Sequence, residues 1–264
     1  MIDEVKLKND CVQWIREWFA ANGKDCKAVV GISGGKDSTI AAGLLVEALG
    51  KDRVIGVLMP NGVQNDIDDA KEVVDYLDIR NCVTNIDTIY YEFIDKIIWS
   101  TGSIANENIG FSEQTKINLP PRIRMTLLYA IAQTMNGRVV NTCNLSEDYV
   151  GYSTRWGDSV GDFAPFGGLL TDEVIAIGDA LGLPYDLVHK TPSDGLCGKT
   201  DEDNLGFTYE DLNQYIRMGT CGKSEVDKII SDKHEKNLFK MQPIPIFNYY
   251  ERNDINESTL IIKR

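Results

Sequence analysis

The stretch from Ser33 to Ser38 has the residue types and the spacing of a loop that binds phosphate. Its sequence is Ser-Gly-Gly-Lys-Asp-Ser, and it lies between the apolar run 28–32 and the helical run 38–49. Two adjacent glycines let a ligand approach the backbone, and a following helix presents free N–H groups and its positive dipole end. The spacing matches neither a Walker loop nor a dinucleotide fingerprint. The stretch therefore predicts an anion site.

Glu147 is a second acidic residue that we expect near Asp37. The segment 142–147 follows a predicted strand, as the glycine loop does, and ligands of open parallel sheets bind beyond the carboxyl ends of the strands. Mg²⁺ prefers one or two carboxylates together with phosphate oxygens and water, so a shared Mg²⁺ is predicted between Asp37 and Glu147. The alternative for Glu147 is a solvated charge at the start of a helix. The loop 60–66 either lines the same crevice or is an ordinary turn.

A doubly wound, mainly parallel sheet flanked by helices must position these loops. Apolar runs that read as buried strands alternate with segments of helical periodicity, which is typical of an α/β fold. Pro120 and Pro121 are expected to begin a long helix, and Gly50 to end an earlier one. The predicted strands are 28–32, 53–59, 82–86 and 138–142, and the predicted helices are 38–49, 66–77, 88–99, 122–135 and 171–182. One domain over residues 1–264 is the simplest organisation.

Residues 190–206 form a polar, glycine-rich segment without apolar periodicity. A long irregular stretch in a compact protein is usually functional. We therefore expect a lid loop that covers bound nucleotide.

The composition limits the partners and the kind of site. Lys and Arg number 27 against 40 Asp and Glu, a formal charge of −13, so the general field repels nucleic acid and anionic membranes. Six cysteines without a Cys-x-x-Cys pair, together with two histidines, argue against a zinc or iron–sulfur site. The N-terminus is charged, and no stretch of about 18 apolar residues occurs. These features predict a cytoplasmic protein without nucleic-acid or membrane partners.

Further motifs join the glycine loop in a larger pattern. The chain contains Pro-Arg-Ile-Arg-Met at 121–125, Asn-Leu-Ser-Glu at 144–147, Gly-Tyr-Ser-Thr-Arg-Trp-Gly-Asp at 151–158, Lys-Thr-Pro-Ser-Asp-Gly-Leu at 190–196 and Thr-Asp-Glu at 200–202. The glycine loop alone resembles that of the ATP pyrophosphatases, and the ordered set resembles the ammonia-dependent NAD⁺ synthetases over nearly the full length. The resemblance implies a Rossmann-like fold and a homodimer. It also implies a reaction in which deamido-NAD⁺, ATP and ammonia give NAD⁺, AMP and pyrophosphate.

The resemblance also implies roles for individual residues. It places the ATP phosphates on Gly31, Ile32, Ser33, Gly34, Gly35, Lys36, Asp37 and Ser38, with further ATP contacts at Thr142 and Ser193. It places Mg²⁺ on Asp37 and Glu147, and deamido-NAD⁺ on Arg122, Arg155, Asp162 and Lys240. No residue is expected to act as a covalent nucleophile.

Three positions depart from the family pattern. Thr171 stands where many relatives have an ATP-binding Lys, Phe239 where they have the His of a His-Lys pair, and Leu58 where some have Arg. Lys36 and Lys190 are candidates to supply the missing positive charge near the phosphates.

Two other functions compete with this interpretation. One is a different ligase or amidotransferase of the ATP pyrophosphatase type, and the other is a non-catalytic sensor of adenine nucleotides. Retention of Asp37, Glu147 and Arg122 argues against the sensor, whereas Thr171 and Phe239 leave this alternative open. The length of 264 residues leaves no room for the amidase domain of glutamine-using relatives, so free ammonia is the expected donor.

The two helices predicted at 88–99 and 122–135 suggest a subunit interface. They carry more apolar residues than one face of a sheet covers, among them Ile89, Phe93, Ile97, Ile98, Trp99, Ile123, Leu127, Leu128 and Ile131. An excess of this kind is expected to pair across a two-fold axis, or else to be core.

Overall fold

The computed structural model describes residues 3–64, 67–105, 111–190 and 200–247. Within these ranges, four strands alternate with helices along the first half of the chain, and helices alone make up the second half. The elements are α1 (Glu4–Asn22), β1 (Lys27–Gly31), α2 (Lys36–Leu49), β2 (Val54–Leu58), α3 (Ile67–Tyr76), β3 (Arg80–Val83), α4 (Asp87–Ala105), α5 (Glu113–Thr134), β4 (Gly137–Val139), α6 (Leu145–Tyr149), α7 (Thr171–Ala180), α8 (Tyr185–Val188), α9 (Asp201–Leu205), α10 (Tyr209–Met218) and α11 (Ser224–Met241).

The described strands form one parallel sheet in the order β3-β2-β1-β4. Val29 of β1 lies opposite Ile55 of β2 on one side and Val139 of β4 on the other. The chain therefore runs outward from β1 through β2 to β3 and then returns to the other side of β1. This reversal creates a crevice beyond the carboxyl ends of β1 and β4, and it confirms the doubly wound α/β fold.

Both faces of the sheet are covered, and alternate residues of β1 point into different hydrophobic clusters. Ala28 and Val30 pack with helices α1, α2 and α7, whereas Val29 packs with α4 and α5. All three side chains have no exposed surface. A parallel sheet buried on both faces explains why β1 and β2 read as continuous apolar runs rather than as alternating ones.

A third cluster lies outside the sheet and joins α6, α9, α10 and α11. Its buried members include Val150, Leu205, Leu212 and Ile230. Leu205 belongs to the segment predicted as a lid, and for residues 200–206 the prediction of an irregular loop is wrong. Thr200 caps α9 through a hydrogen bond to its side chain from the backbone N–H of Asp203, and Leu205 anchors the helix in the cluster. Residues 191–199 of the predicted lid lie outside the described residues.

Helix α5 begins nine residues earlier than Arg122, so the prediction that Pro120 and Pro121 begin it is wrong. Ser112 is the N-cap and accepts a hydrogen bond from the backbone N–H of Thr115, and both prolines lie inside the helix. Proline inside a helix removes a backbone hydrogen bond but fixes φ at a helical value. The buried side chains of Leu119, Pro120 and Ile123 stabilise the helix where those bonds are missing.

The two edge strands, β3 and β4, are shorter than predicted, and both begin earlier in the chain. β3 covers residues 80–83 rather than 82–86, because its partner β2 ends at Leu58, which lies opposite Val83. β4 covers 137–139 rather than 138–142, and beyond it Val140 makes an isolated bridge to Phe163. Helix α2 ends at Leu49, before Gly50 in a left-handed conformation with φ of 83°, as predicted.

None of the helices in the described ranges is long and apolar enough to cross a membrane. The cytoplasmic location stays a prediction.

Candidate active site

A cleft of about 990 Å³ lies beyond the carboxyl ends of β1, β2 and β4. Its lining includes Ser33 and Asp37 from the glycine loop, Pro60 from the loop after β2, and Thr142 and Glu147 from the segment after β4. The three loops that the sequence placed at this edge of the sheet therefore meet in one cavity. Asp66, at the end of the second loop, lies outside the described residues.

The glycine loop is held by its own serines. Gly34 has a φ of 81°, which favours glycine. The Ser33 Oγ lies 3.1 Å from the Ser38 Oγ and accepts a hydrogen bond from the backbone N–H of Gly35 at 3.2 Å. The Ser38 hydroxyl donates to the carbonyl of Gly35 at 3.1 Å. These bonds fix the loop at the N-terminus of α2, where the first N–H groups have no partner within the helix.

Asn144 connects the two acidic residues expected to hold metal. Its side-chain amide donates to Asp37 Oδ1 at 3.1 Å, and its Oδ1 accepts from the backbone N–H of Glu147 at 3.1 Å. Glu147 completes a capping box by accepting from the backbone N–H of Asn144 at 3.4 Å. The sequence analysis did not assign Asn144 to the site, although Asn-x-x-Glu is a signal for such a box.

The environment of Glu147 disfavours its charge. Burial and then the charge of Asp37 raise the pKa of Glu147 well above its ordinary value, although Lys36 and the bond from Asn144 work in the opposite direction. Thr171, at a position where the family resemblance implies a Lys, is buried and donates to Asn144 Oδ1 at 3.3 Å. Thr171 thus supports the amide that positions both carboxylates and contributes no charge.

Asp201 is a third carboxylate in this part of the cleft and was not predicted to act there. It is only 7% exposed, and it accepts hydrogen bonds from the hydroxyls of Tyr152 at 3.2 Å and Tyr209 at 3.3 Å. Burial and then the charge of Glu147 raise the pKa of Tyr209 far above its usual range, so the Tyr209 hydroxyl serves as a donor. The only signal in the sequence was the Thr-Asp-Glu motif at 200–202.

Asp37 and Glu147 have the chemistry of a magnesium site that needs a nucleotide to complete it. Two carboxylates face the same space and repel each other electrostatically, a repulsion that a divalent cation would relieve. Among the described residues, no group of three or more His, Cys, Asp or Glu side chains is arranged to hold a metal ion. Mg²⁺ commonly takes one or two carboxylates and fills its remaining positions with phosphate oxygens and water. The two residues fit that pattern.

Away from the glycine loop, the guanidinium groups of two arginines in α5 donate hydrogen bonds to backbone carbonyls of the protein. Arg122 is exposed, and its Nε donates to the carbonyl of Arg155 at 3.3 Å. Arg124, two residues further along α5, lines the cleft and donates to the carbonyl of Met59 at 2.9 Å. Within the described residues, the cleft lining thus includes Arg124 rather than the predicted Arg122.

Arg155 lies between two aromatic rings in a smaller recess of about 410 Å³ beside the cleft. Its guanidinium is 5.0 Å from the ring of Trp156 and 5.4 Å from that of Phe239. Its buried Nε has no hydrogen-bond partner among the described residues. Trp156 has a left-handed backbone with φ of 64°, which is uncommon for a bulky residue. Phe239, at a position where the family resemblance implies a His, therefore contacts the arginine side chain.

Lys240 lines both cavities and donates to the carbonyls of Gly151 at 2.8 Å and Ser153 at 3.2 Å. Burial lowers the pKa of Lys240. Asp162 is exposed at the edge of the sheet, where it accepts a hydrogen bond from the backbone N–H of Val139 at 2.7 Å. Among the described residues that line the cleft, Asp162 is not included. Asp158, which the sequence analysis did not select, does line it.

The remaining predicted positions divide into three groups. Lys190 donates to the carbonyl of Gly34 at 3.3 Å and pairs with Asp69, so it contacts the glycine loop. Leu58 is fully buried in β2 and contributes only packing. Ser193 lies outside the described residues.

The sequence matches the family model described as NAD synthase over residues 7–254. Among curated relatives, the NH(3)-dependent NAD(+) synthetase of Methanosarcina acetivorans is 41% identical over 209 residues, covering 78% of this chain and 78% of the relative.

Two solved structures share the fold over 94% of this chain and the whole of theirs. An NMN synthetase from Francisella tularensis has a TM-score of 0.84 and 29% identity. An NH3-dependent NAD synthetase from Campylobacter jejuni, solved with a nitrate ion, has a TM-score of 0.74 and 26% identity.

Proposed function

Because this chain belongs to the NAD synthase family, we propose that it joins ammonia to the nicotinate carboxylate of deamido-NAD⁺ at the expense of ATP. The enzyme is a ligase that forms a carbon–nitrogen bond. One observation carries the proposal. Asn144 forms hydrogen bonds with Asp37 of the glycine loop and with the backbone of Glu147, at the point where the strand order of the sheet reverses.

The chemistry requires activation of the carboxylate, because direct displacement by ammonia would expel oxide. An oxygen of the nicotinate carboxylate attacks the α-phosphorus of ATP, and the bond to pyrophosphate breaks. Ammonia then attacks the carbonyl carbon of the acyl adenylate and expels AMP, while the added nitrogen loses a proton to give the amide. The products are NAD⁺, AMP and pyrophosphate.

The glycine-loop side of the cleft suits the first of these steps. We assign the ATP phosphates to the loop Gly31–Ser38 and the N-terminus of α2, whose N–H groups and dipole favour negative charge. Thr142 lines the same cleft and is assigned a contact to ATP. Catalysis by such a site consists of positioning and electrostatic stabilisation, so no covalent nucleophile is needed.

Mg²⁺ is assigned to Asp37 and Glu147. When bound, it neutralises negative charge that develops on the departing pyrophosphate. Asn144 holds Asp37 by an amide hydrogen bond and holds Glu147 through the capping box, so it orients both carboxylates before the ligand arrives.

Deamido-NAD⁺ is assigned to the end of the cleft that Lys240 lines, together with Arg122 and Arg155, which lie outside that lining. The buried Nε of Arg155 has no hydrogen-bond acceptor among the described residues. The Nε of Arg122 donates to a backbone carbonyl. Asp162 stays in the proposed assignment to deamido-NAD⁺. It is an exposed carboxylate that accepts a hydrogen bond from the backbone of β4 and lies outside the lining of the cleft.

The experiment that tests the reaction incubates the purified protein with ATP, Mg²⁺, ammonium and deamido-NAD⁺. Chromatography should show NAD⁺ and AMP in equal amounts, and omission of ammonium should remove NAD⁺. AMP released without an amidated product would contradict the proposal.

One observation favours a second candidate for the substrate that receives ammonia. The NMN synthetase from Francisella tularensis superposes with a TM-score of 0.84, above the 0.74 of the Campylobacter jejuni NAD synthetase. Nicotinate mononucleotide carries the same carboxylate and lacks the adenylyl half of the dinucleotide. A parallel assay with this mononucleotide decides between them: a higher kcat/KM for it than for deamido-NAD⁺ makes the protein an NMN synthetase.

We also propose a homodimer through α4. Part of the apolar excess in the two helices is core, since Ile97, Ile123 and Leu128 pack against the sheet. Phe93 and Trp99 are 48% and 76% exposed, and a second copy is the occupant that the two-fold argument favours.

Light scattering at micromolar concentration should give twice the monomer mass. Trp99→Glu should yield a folded monomer, whereas Tyr185→Glu, at an exposed residue of α8, should leave the mass unchanged. A monomeric wild type contradicts the interface.

A further inference from the structure

Lys36 directs its charge toward the carboxylates of the cleft rather than toward solvent. It is the first residue of α2 and is only 4% exposed. Its ammonium lies 2.7 Å from Asp37 Oδ2 and 5.5 Å from the centre of the Tyr209 ring. A lysine this deeply buried is rare in proteins unless its charge is paired.

The same ammonium is subject to the charges of three carboxylates. Burial acts against the charged form of Lys36, but Asp37, Glu147 and Asp201 outweigh burial and raise the pKa of the lysine above its ordinary value. The 2.7 Å contact with Asp37 Oδ2 pairs the buried Lys36 ammonium with a carboxylate. This ammonium neutralises part of the repulsion between Asp37 and Glu147, which is the role that a metal ion would have there.

A divalent cation and this ammonium compete for one position. Both are attracted by Asp37 and Glu147, and each repels the other at short range. The protein alone offers a metal no group of three acidic, His or Cys ligands within the described residues, so nucleotide phosphates would add ligands that otherwise only water supplies. Those phosphates also give the lysine an alternative anionic partner at the glycine loop.

We propose that Lys36 is a resident counter-ion that keeps divalent metal away from Asp37 and Glu147 until a nucleotide brings its phosphates into the cleft. The inference rests on the proposed function, since it takes Asp37 and Glu147 as the metal ligands. Metal binding is then coupled to nucleotide binding, and the lysine turns from the carboxylates to the phosphates when both arrive.

The test measures Mn²⁺ binding by the electron paramagnetic resonance signal of the free ion, without turnover. Wild-type protein alone should bind Mn²⁺ weakly, and α,β-methylene-ATP, with protein in excess over the nucleotide, should strengthen binding at least tenfold. Lys36→Met, which removes the charge and keeps an unbranched side chain one atom shorter, should bind Mn²⁺ without nucleotide at least tenfold more tightly than wild type.

Three variants serve as controls. Lys36→Arg keeps the charge and should behave as wild type does without nucleotide. Lys190→Met removes a charge from the same cleft that is paired with Asp69 and the Gly34 carbonyl, and it should change Mn²⁺ affinity less than twofold. Adding Asp37→Asn to Lys36→Met should abolish the gain.

Each outcome decides a separate point. A folded Lys36→Met that binds Mn²⁺ no better than wild type overturns the inference, and Lys36→Gln repeats the test if the Met variant does not fold. Wild type that binds Mn²⁺ equally well with and without nucleotide also overturns it. NAD⁺ synthesis by wild type together with either result leaves the proposed reaction standing. A gain in Mn²⁺ binding without NAD⁺ synthesis overturns the reaction alone.

Discussion

At the glycine-loop end of the cleft, the charged side chains of Lys36 and Asp37 contact each other. Near the other end, which we call the acceptor end, Lys240 and Arg122 donate to backbone carbonyls and Arg155 packs on two aromatic rings. At the glycine-loop end, Lys36, Asp37 and Asn144 form a continuous set of side-chain bonds that reaches the backbone of Glu147. Asp201 lies in the same part of the cleft and bonds to Tyr152 and Tyr209. The acceptor end comprises Arg122, Arg155 and Lys240. There, Lys240 donates to Gly151 and Ser153, and Arg122 donates to Arg155.

The difference shows which of the proposed site residues are held by other side chains. Asp37 and Glu147 are held at fixed positions by Asn144 before any ligand binds. At the acceptor end, part of the donor capacity is used to attach α11 to the loop 151–153. Substitutions at the glycine-loop end should therefore affect the chemical step, and those at the acceptor end should mainly affect binding of the nicotinate substrate.

Asp37→Asn should cause the largest loss. The amide keeps the size of the side chain but removes one of the two carboxylates, so kcat/KM should fall about a thousandfold, ~4 kcal/mol. Steady-state assays at saturating Mg²⁺ measure the effect. Asp68→Asn, at an exposed residue of α3, should retain full activity. Near-normal turnover by Asp37→Asn would remove the metal role from this residue.

Asn144 allows its two tasks to be separated. Asn144→Ala removes both the helix cap and the amide that holds Asp37, and should cost about 1–2 kcal/mol of stability and about tenfold or more in kcat. Asn144→Ser restores a good N-cap without the amide, so it should regain most of the stability but not the activity. Thermal unfolding and initial rates measure the two effects. Equal recovery of both would show that Asn144 acts only as a cap.

Arg122→Ala should raise the KM for deamido-NAD⁺ about tenfold, the value of one charge-assisted hydrogen bond, and leave the KM for ATP nearly unchanged. Arg124→Ala should be measured in the same assay for comparison, because Arg124 lines the cleft whereas Arg122 is exposed. If Arg124→Ala alone raises the KM for deamido-NAD⁺, the contact to this substrate belongs to Arg124.

Phe239 should have the smallest effect. Phe239→Leu keeps an apolar side chain but removes the ring that faces the Arg155 guanidinium, so the KM for deamido-NAD⁺ should rise about threefold with kcat unchanged. Phe239→Tyr keeps the ring and should retain the wild-type KM. A fall in kcat for the Leu variant would instead indicate a disturbed chemical step.

The strands and helix limits that the sequence predicted well depend on short-range signals. The apolar run of β1 and the glycine after α2 predicted their elements closely, because caps and buried strands are written in neighbouring residues. Pro120 and Pro121 misled, since a local rule that places proline at a helix start was overridden by burial of the helix face. The edge strand β3 was misplaced because its partner strand decides where it ends.

The candidate site divides in the same way. Ser33–Ser38 and Glu147 were found from motifs, whereas the contribution of Asp201 depends on tyrosines 49 and 8 residues away. The direction of the Lys36 side chain was equally invisible, since a lysine in a glycine loop is compatible with solvent, phosphate or a carboxylate partner.

The sequence by itself determined the α/β fold, the position of the glycine loop and the family, because each is encoded in local spacing or in an ordered set of motifs. The tertiary structure decided which charges meet. Asn144 contacts Asp37 across 107 residues of chain, and the guanidinium of Arg155 packs on Phe239 of α11. Such contacts depend on how the strands are ordered and how helices pack against them, and the partners are too far apart in the chain for local periodicity to specify them.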